Sequence, residues 1–458
     1  MALPTTTLAD RPAAPSHRAA PRRPPTRHVP LLARLLGWAG AAAVVALWWA
    51  DTSSVVGLAG WLTGAGRITG LLAGYGCAVL LLLMARLPLL DRTAGTDRTA
   101  RWHAAAGRYT VGLILVHVLT IVWGYALTGR TGVVDQATTI VLHYPEMLKA
   151  TAGFLLLLLT GVLSARLARR RLRYETWHLL HCATYLALFL SFGHQLSNGA
   201  DFVGNHLAQA AWYTLYLGSA ALLLWYRVLT PLRAARRHRL RVAEIRQEAP
   251  GVVTVELTGR DLARLKARPG QFLRWRFLTP GLWWAANPYS LSAPVTGDRL
   301  RITVKAAGRH SAAVAGLRPG TRVWAEGPYG GLTAERARTG RALLLAGGVG
   351  ITPLRTLFET LPGDVTLLYW AHSTADLVFR KELDAVAARR GARVVYCVTE
   401  PAGHSLPLTA AALTACVPDL ARRDVYLCGP PGMARAAQAA LREAGVPRGR
   451  VHHESFAF

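Results

Sequence analysis

Six stretches of apolar sequence, near residues 31 to 50, 66 to 90, 104 to 128, 147 to 166, 175 to 195 and 207 to 228, are each long enough to cross a bilayer. A spanning helix needs about 20 mostly apolar residues, because each residue advances about 1.5 Å through a hydrocarbon core about 30 Å thick. The first and third stretches are interrupted only by single arginines and glycines. Residues 30 to 232 are therefore expected to form a six-helix transmembrane bundle.

Lysine and arginine in short connections are retained on the cytoplasmic side, and here they alternate. Arg11, Arg18, Arg22, Arg23 and Arg27 precede the first span, and Arg86, Arg92, Arg98 and Arg101 separate the second from the third. Arg166, Arg169, Arg170, Arg171 and Arg173 separate the fourth from the fifth, and Arg233, Arg236, Arg237, Arg239 and Arg241 follow the sixth. The connections between are nearly free of cations. Both termini are thus expected in the cytoplasm of a multi-pass plasma-membrane protein, with the third and fifth spans running parallel.

Those two parallel spans each carry a pair of histidines. His103 and His117 lie 14 residues apart, and His181 and His194 lie 13 apart. On helices these intervals span roughly 21 and 19.5 Å, so the spans would present facing imidazoles at two depths, His103 with His181 inside and His117 with His194 outside. Intramembrane ionisable groups are rare and usually functional, and neutral imidazole is a suitable axial ligand for haem iron. Two stacked haem b groups are the expectation. Using His178 instead of His181 would stretch the second interval to about 24 Å, a mismatch of about 3 Å in depth. At 100° per residue the first pair differs by about 40° and the second by about 140°, so the fifth span must bend, rewind or tilt, with Gly193 as a candidate place.

Charge and cysteine content narrow the remaining classes. The formal charge of +28 comes from 53 basic and 25 acidic residues, an excess that would suggest nucleic acid in a soluble protein. Here it gathers in the cytoplasmic connections and in residues 1 to 29, a Pro, Ala and Arg-rich stretch that reads as a disordered tail near anionic membrane lipid. No basic groove with interleaved aromatics is evident, so nucleic acid is not an expected partner. No apolar core precedes residue 30, which argues against a signal peptide. Cys77, Cys182, Cys397, Cys416 and Cys428 have neither C-x-x-C nor ferredoxin spacing, which argues against an iron–sulfur cluster and a structural disulfide.

After residue 232 the pattern changes. From Arg239 to Ile302, short alternating runs such as Val252-Val-Thr-Val-Glu-Leu are punctuated by Gly, Pro and Asp, which predicts an antiparallel β-barrel over residues 233 to 336. From Arg341 onward apolar strands alternate with alanine-rich helices, which predicts an α/β parallel-sheet domain over 337 to 458. Ala342 to Ala346 runs into Gly347-Gly348-Val349-Gly350-Ile351-Thr352-Pro353, a strand-to-helix turn whose glycines let backbone N–H groups approach a pyrophosphate. Cys428-Gly429-Pro430-Pro431-Gly432-Met433 closes a second strand at its carboxyl end, where open parallel sheets bind ligands. Order and spacing favour a nicotinamide site.

Residues 100 to 458 resemble the ferric reductase and NADPH oxidase superfamily joined to a ferredoxin-NADP reductase-like module. The resemblance rests on the four histidines, Pro269-Gly-Gln-Phe, Asn287-Pro-Tyr-Ser-Leu-Ser, Gly327-Pro-Tyr-Gly, the Gly347 and Cys428 loops and the terminal Glu454-Ser-Phe-Ala-Phe. It implies FAD in the barrel, held by Asn287, Tyr289, Ser290, Leu291 and Ser292, with Gly308, Arg309, His310 and Ser311 opening a helix against its pyrophosphate. It implies NADPH or NADH on Gly347, Gly348, Gly350, Thr352, Pro353, Gly429 and Pro430. Phe456 matches the aromatic that covers the flavin, with Phe458 as the alternative, while Glu454 and Cys428 match the acid and the thiol near the nicotinamide. Many relatives carry Arg where this chain has Asn287. Another cation, Arg274, Arg276, Lys305 or Arg309, would then serve the phosphate. Ser373, Arg380 and Lys381 follow the second strand of the nucleotide domain, where a 2′-phosphate would lie, and read equally as a solvated helix face.

The implied activity is electron transfer from cytoplasmic NAD(P)H through FAD and two haems to an extracytoplasmic acceptor: oxygen, a ferric chelate or a redox protein. His143, Tyr144 and His206 in the outer connections are either metal ligands or solvent-facing residues. Two alternatives stand beside this reading. One is a membrane-tethered flavoprotein reductase serving a ferredoxin, and the other is a haem-binding membrane sensor.

Overall fold

A computed structural model describes residues 29–52, 55–165, 172, 174–399 and 406–454. The N-terminal tail, Arg166 to Arg171, Arg173, Phe456 and Phe458 lie outside the described residues.

The N-terminal half is helical: α1 (Val29–Trp49), α2 (Gly57–Met84), α3 (Pro88–Ala94), α4 (Thr96–Gly129), α5 (Val133–His143), α6 (Met147–Ser164), α7 (Tyr174–Asn198) and α8 (His206–Leu224). A π-helical turn, Trp225–Leu229, joins α8 to α9 (Thr230–His238). Among the described residues five segments are long and apolar enough to cross a membrane: Val29–Trp49, Gly57–Met84, Arg98–Gly129, Met147–Ser164 and His206–His238. The remaining expected span, α7, is a helix of 25 residues, but His178, His181, His194 and Gln195 make it less apolar than the others.

Two boundaries differ from those read in the sequence. The second span begins nine residues earlier than residue 66 and stops at Met84, because Arg86 turns the chain with φ of 63° and Pro88 opens a new helix. The sixth stretch, read as ending near residue 228, continues as helix past it. Its Arg and Ala-rich continuation stays helical until Arg239 caps it with φ of 44°. Gly193 is no break in α7, which is α-helical throughout.

Glycines decide how closely these helices pack. A Cβ on Gly66, Gly70 or Gly76 of α2 would stand 2.6 Å from Ile121, His117 or Thr110 of α4. On α6 a Cβ at Gly153 would stand 2.2 Å from Ser191 of α7. Small residues thus draw α4 onto α2 and α7 onto α6 by removing side-chain bulk, which is how helices associate where no hydrophobic difference drives them.

The next unit holds two three-stranded antiparallel sheets. One is β1 (Arg241–Ala249), β2 (Val252–Thr258) and β5 (Arg299–Lys305), and the other is β4 (Asn287–Ser290), β3 (Phe272–Phe277) and β6 (Val323–Tyr329). Leu291 bridges to Ile302 and Arg241 to Arg322, so the sheets join at both margins around Val255, Leu257, Leu273, Trp275, Phe277 and Ile302. The short helix α10 (Arg309–Ala313) follows β5. Gly270, at φ of 85°, passes so close to Leu332 that a Cβ would overlap its carbonyl oxygen.

The C-terminal unit is a five-stranded parallel sheet in the order β11-β10-β7-β8-β9. Its elements are β7 (Arg341–Gly347), α11 (Ile351–Thr360), β8 (Asp364–Ala371), α12 (Arg380–Arg390), β9 (Arg393–Val398), α13 (Ala410–Cys416), β10 (Asp424–Cys428), α14 (Pro431–Glu443) and β11 (Val451–Glu454). Each face of the sheet has its own apolar core, so the central strands read as continuous hydrophobic runs. Strand order reverses between β7 and β10, and that crevice is where such sheets bind ligands.

Candidate functional site

The four histidines meet in two levels. The His103 and His181 rings are 6.0 Å apart at 80°. His117 and His194 lie within reach of each other at the second level. The parallel sense of α4 and α7 follows from this pairing. His103 Nδ1–H donates to the Leu80 carbonyl at 3.3 Å and His117 Nδ1–H to the Gly66 carbonyl at 2.8 Å. Since a carbonyl can only accept, each bond leaves Nε2 with its lone pair, the form in which imidazole binds a metal. His181 stacks on Trp177 at 5.1 Å, and its Nδ1 lies 3.4 Å from Ser164 Oγ, which also accepts from Trp177 Nε1 at 3.2 Å. His178 instead lies within reach of Arg227 and Arg274, at the junction with the strand unit. Arg86 marks the same junction, with its guanidinium 5.2 Å from the Tyr329 ring.

On β4, Tyr289 is held by Trp275 Nε1, which donates to its carbonyl at 2.9 Å. Burial pushes the Tyr289 phenol up to about 12, against a hydrogen bond from Asn287. Asn287 therefore shapes this strand through its neighbour. Among the cations considered in its place, Arg274 stands beside it: it faces Pro288 across the β3–β4 pair and donates to the Ala286 carbonyl at 3.1 Å. Ser290 Oγ is shut away from solvent with no hydrogen-bond partner among the described residues. Leu291 and Ser292 differ from expectation, because their side chains are buried. Ser292 Oγ accepts from Thr303 at 3.0 Å, and the backbone there is paired as well, the Ser292 N–H donating to the Arg301 carbonyl at 2.8 Å. At α10 the Ala307 and Gly308 N–H groups both donate to Ser311 Oγ, at 2.9 and 3.0 Å, while His310 sits edge-on to Trp284 at 6.4 Å. Arg309 begins this helix, which is only five residues long.

The two glycine loops of the nucleotide unit interlock. A Cβ on Gly350 would lie 2.3 Å from the Cys428 carbonyl oxygen, and one on Gly347 would lie 2.2 Å from Met433 Sδ and 3.0 Å from Pro430. Gly429 packs against the Gly347 backbone, and Gly348 takes φ of 52°. Thr352 and Pro353 are buried beneath this surface, with Thr352 Oγ1 donating to the Val349 carbonyl at 3.0 Å, so they shape the turn. Cys428 is fully buried, since it ends a central strand covered on both faces; burial, aided by the Glu454 charge, pushes its thiol well above the usual range. Glu454 pairs with Cys428 across β10–β11 and reaches the strand unit, where a Cβ on Gly330 would lie 2.8 Å from its Oε1.

At the end of β8, Ser373 Oγ donates to Asp376 at 2.8 Å. Arg380 lies 5.5 Å from the Tyr396 ring, and Tyr396 donates to Asp384 at 2.6 Å. A cation and an acid therefore share this corner.

Sequence reasoning missed the Gly66 and Gly70 cradle beneath His117. Their spacing, continued at Gly74, is a small-xxx-small signal that could have revealed it. It also missed Ser164 and Trp177, which no local pattern links to His181.

Residues 69–192 match the family described as ferric reductase like transmembrane component, and residues 344–439 match the oxidoreductase NAD-binding domain. The chain is 33% identical over 230 residues to the 3-ketosteroid-9-alpha-monooxygenase, ferredoxin reductase component, of Mycolicibacterium smegmatis, covering 47% of this chain and 65% of that protein. It is 31% identical over 239 residues to an NADPH oxidoreductase of Mycobacterium tuberculosis, covering 50% of this chain and 62% of that protein. The chain thus spans just under two thirds of the length of these relatives. A solved FAD/NAD binding domain of nitric oxide dioxygenase from Vibrio cholerae aligns with a TM-score of 0.42 at 24% identity, over 48% of this chain and 99% of that one. Helical spans that carry the first match and a parallel-sheet unit that carries the second make the chain a fusion of a ferric reductase-like transmembrane domain with an NAD-binding oxidoreductase module.

Proposed function

We propose that this protein carries electrons across the plasma membrane, from cytoplasmic NAD(P)H through FAD and two b-type haems to an acceptor on the opposite face, oxygen or a ferric chelate. The observation that carries this reading is the pair of facing histidine levels on parallel helices. His103 and His181, whose rings stand 6.0 Å apart, would hold one haem iron, and His117 with His194 the other, with imidazole supplying the ligand that sets each potential. The Leu80 and Gly66 carbonyls hold His103 and His117 in the ligating tautomer. The six-helix bundle, with α7 as its fifth span and both termini cytoplasmic, belongs to the same reading.

When bound, FAD converts hydride chemistry into single-electron chemistry and the haems relay those electrons. The chain's own residues do the positioning. Ser290 Oγ is an orphaned buried donor on the expected flavin strand, which fits a ring acceptor. Tyr289 supplies an aromatic wall, and Arg274 beside Asn287 supplies the cation expected for phosphate. The Gly347 and Gly429 loops meet at the crevice, where Gly348 is half-buried, Glu454 approaches and Phe456 would cover the flavin. Arg380 favours a 2′-phosphate and Asp376 disfavours one, so the choice between NADPH and NADH is part of the test.

The test is the visible spectrum of haem-loaded protein before and after NADPH or NADH is added without oxygen. Low-spin bis-histidine bands that sharpen on reduction are expected, and admitting oxygen or a ferric chelate then identifies the acceptor. Haem that neither nicotinamide reduces would sink the reading. A second reading, a membrane-tethered reductase for a protein partner, is favoured by the match to a monooxygenase reductase component. Under it, His117→Ala would leave acceptor reduction intact; under the first, that variant reduces flavin but passes nothing across.

A further inference from the structure

Glu382, near the start of α12, forms a bidentate fork with Arg301 of β5: Nη1 donates to Oε1 and Nη2 to Oε2, each at 2.8 Å. Arg355 of α11 donates through Nε to Oε2 of the same carboxylate at 2.9 Å. Both arginines are largely buried, with 12% and 9% of their side chains exposed. That separates this network from exposed pairs, which contribute little, and its planar fork fixes direction as well as proximity.

The network ends at places the proposed reaction uses. Arg301 Nη2 also donates to the Ser292 carbonyl at 2.8 Å, at the end of the run that begins with Asn287. Arg355 sits on the helix opened by the Gly347 loop. The Arg301 guanidinium lies 4.9 Å from the Phe379 ring, and Phe379 holds φ of 62° immediately before Arg380. The flavin strand, the pyrophosphate helix and the turn at the adenosine side thus converge on one carboxylate, which itself lies in none of them.

We propose that Glu382 is a positioning residue that sets the nucleotide unit against the flavin strand in the register hydride transfer requires. The inference rests on the reading that NAD(P)H reduces FAD in this protein. Two units of one chain move relative to each other unless their interface ties them, and a displacement of about 1 Å from the reactive geometry costs up to about 100-fold in rate. Removing the tie therefore acts on the transfer step more than on nucleotide affinity.

The experiment uses the full-length, FAD-loaded protein in detergent and follows anaerobic flavin reduction by NADPH and NADH in stopped flow. Glu382→Gln is expected to lower the limiting reduction rate about tenfold and to abolish the nicotinamide–flavin charge-transfer absorbance. Half-saturating nucleotide concentration and flavin content stay as in the wild type. Arg301→Lys, whose ammonium cannot span both oxygens, moves the same readouts in the same direction and serves if Glu382→Gln fails to fold. The Arg301→Lys, Glu382→Gln double variant is no slower than the slower single one, because both act through one contact. A lowered thermal midpoint with unchanged limiting rate and absorbance would show a purely structural tie and overturn the inference alone. A wild-type flavin that neither nicotinamide reduces would overturn the functional reading first, and this one with it.

Discussion

Replacing Gly70 by alanine tests the histidine cradle at its tightest point. An ideal Cβ there stands 2.6 Å from His117 Nδ1 and 2.8 Å from its Cε1, whereas ordinary contact begins near 3.4 Å. The ring must retreat by about 0.8 Å, and a shift of that size along the 2.8 Å bond to Gly66 stretches it to about 3.6 Å, beyond hydrogen-bonding range. Losing the partner that orients a ligating histidine lowers affinity for the bound metal about 10- to 100-fold, or about 1.4 to 2.8 kcal/mol. Helix propensity works the other way, since alanine in place of glycine gains about 1 kcal/mol. The clash outweighs that gain at the outer level and leaves the inner one alone. Haem per chain, measured by pyridine haemochrome, should therefore fall from about two to about one. Gly218→Ala, where the added Cβ meets nothing within 4 Å, is the control and should keep both. Full haem content with unchanged potentials in Gly70→Ala would refute the reasoning.

His181→Ala should remove the inner haem, whereas His178→Ala should keep both; the opposite result in a haem assay would reassign the ligand. Gly350→Ala drives a Cβ to 2.3 Å from the Cys428 carbonyl oxygen and should raise the KM for nicotinamide at least tenfold with an unchanged haem spectrum. Steady-state kinetics decides it, and an unaltered KM would show that the loops tolerate separation. Cys428, fully buried with its thiol pushed well above the usual range, should resist iodoacetamide at about pH 8 in the folded protein and react only on denaturation; mass spectrometry that finds it labelled in the native state contradicts its placement. Burial works to raise the Glu382 carboxyl, but Arg301 and Arg355 outweigh it and hold the group below its ordinary 4.5. Its contribution to stability is thus full above that value and lost as pH falls through the lower folded one, so Glu382→Gln should flatten the acid-side fall in thermal midpoint. A fall of equal steepness in that variant would assign it to other carboxylates.

What could be read in the sequence was what depends on near neighbours. Apolar length marked the spans, the 14 and 13-residue intervals marked two histidine levels, and glycine runs marked turns that a side chain would block. Each such signal lies within a few turns of one element, where rise per residue and the φ range of glycine are fixed by covalent geometry. Span edges were less legible: α2 starts at Gly57 and halts before Arg86 because local breakers outweigh continued hydropathy. The same holds for Leu291, Ser292 and Cys428, whose motif membership said nothing about which way their side chains point.

Tertiary structure alone decided the partnerships across long separations. Glu382 meets Arg301 from 81 residues away, and Arg67 of α2 meets Asp201 at 2.7 Å from 134 away. Charges are plentiful in this chain, and nothing local distinguishes the pair that will be buried together from the many that face water. Gly66 and Gly70 likewise became the support of His117 only when α4 was laid along α2. Composition and period specify which elements form, because those depend on the chain's own geometry. Which side chains they bring together depends on how the elements pack, and packing is a property of the whole fold.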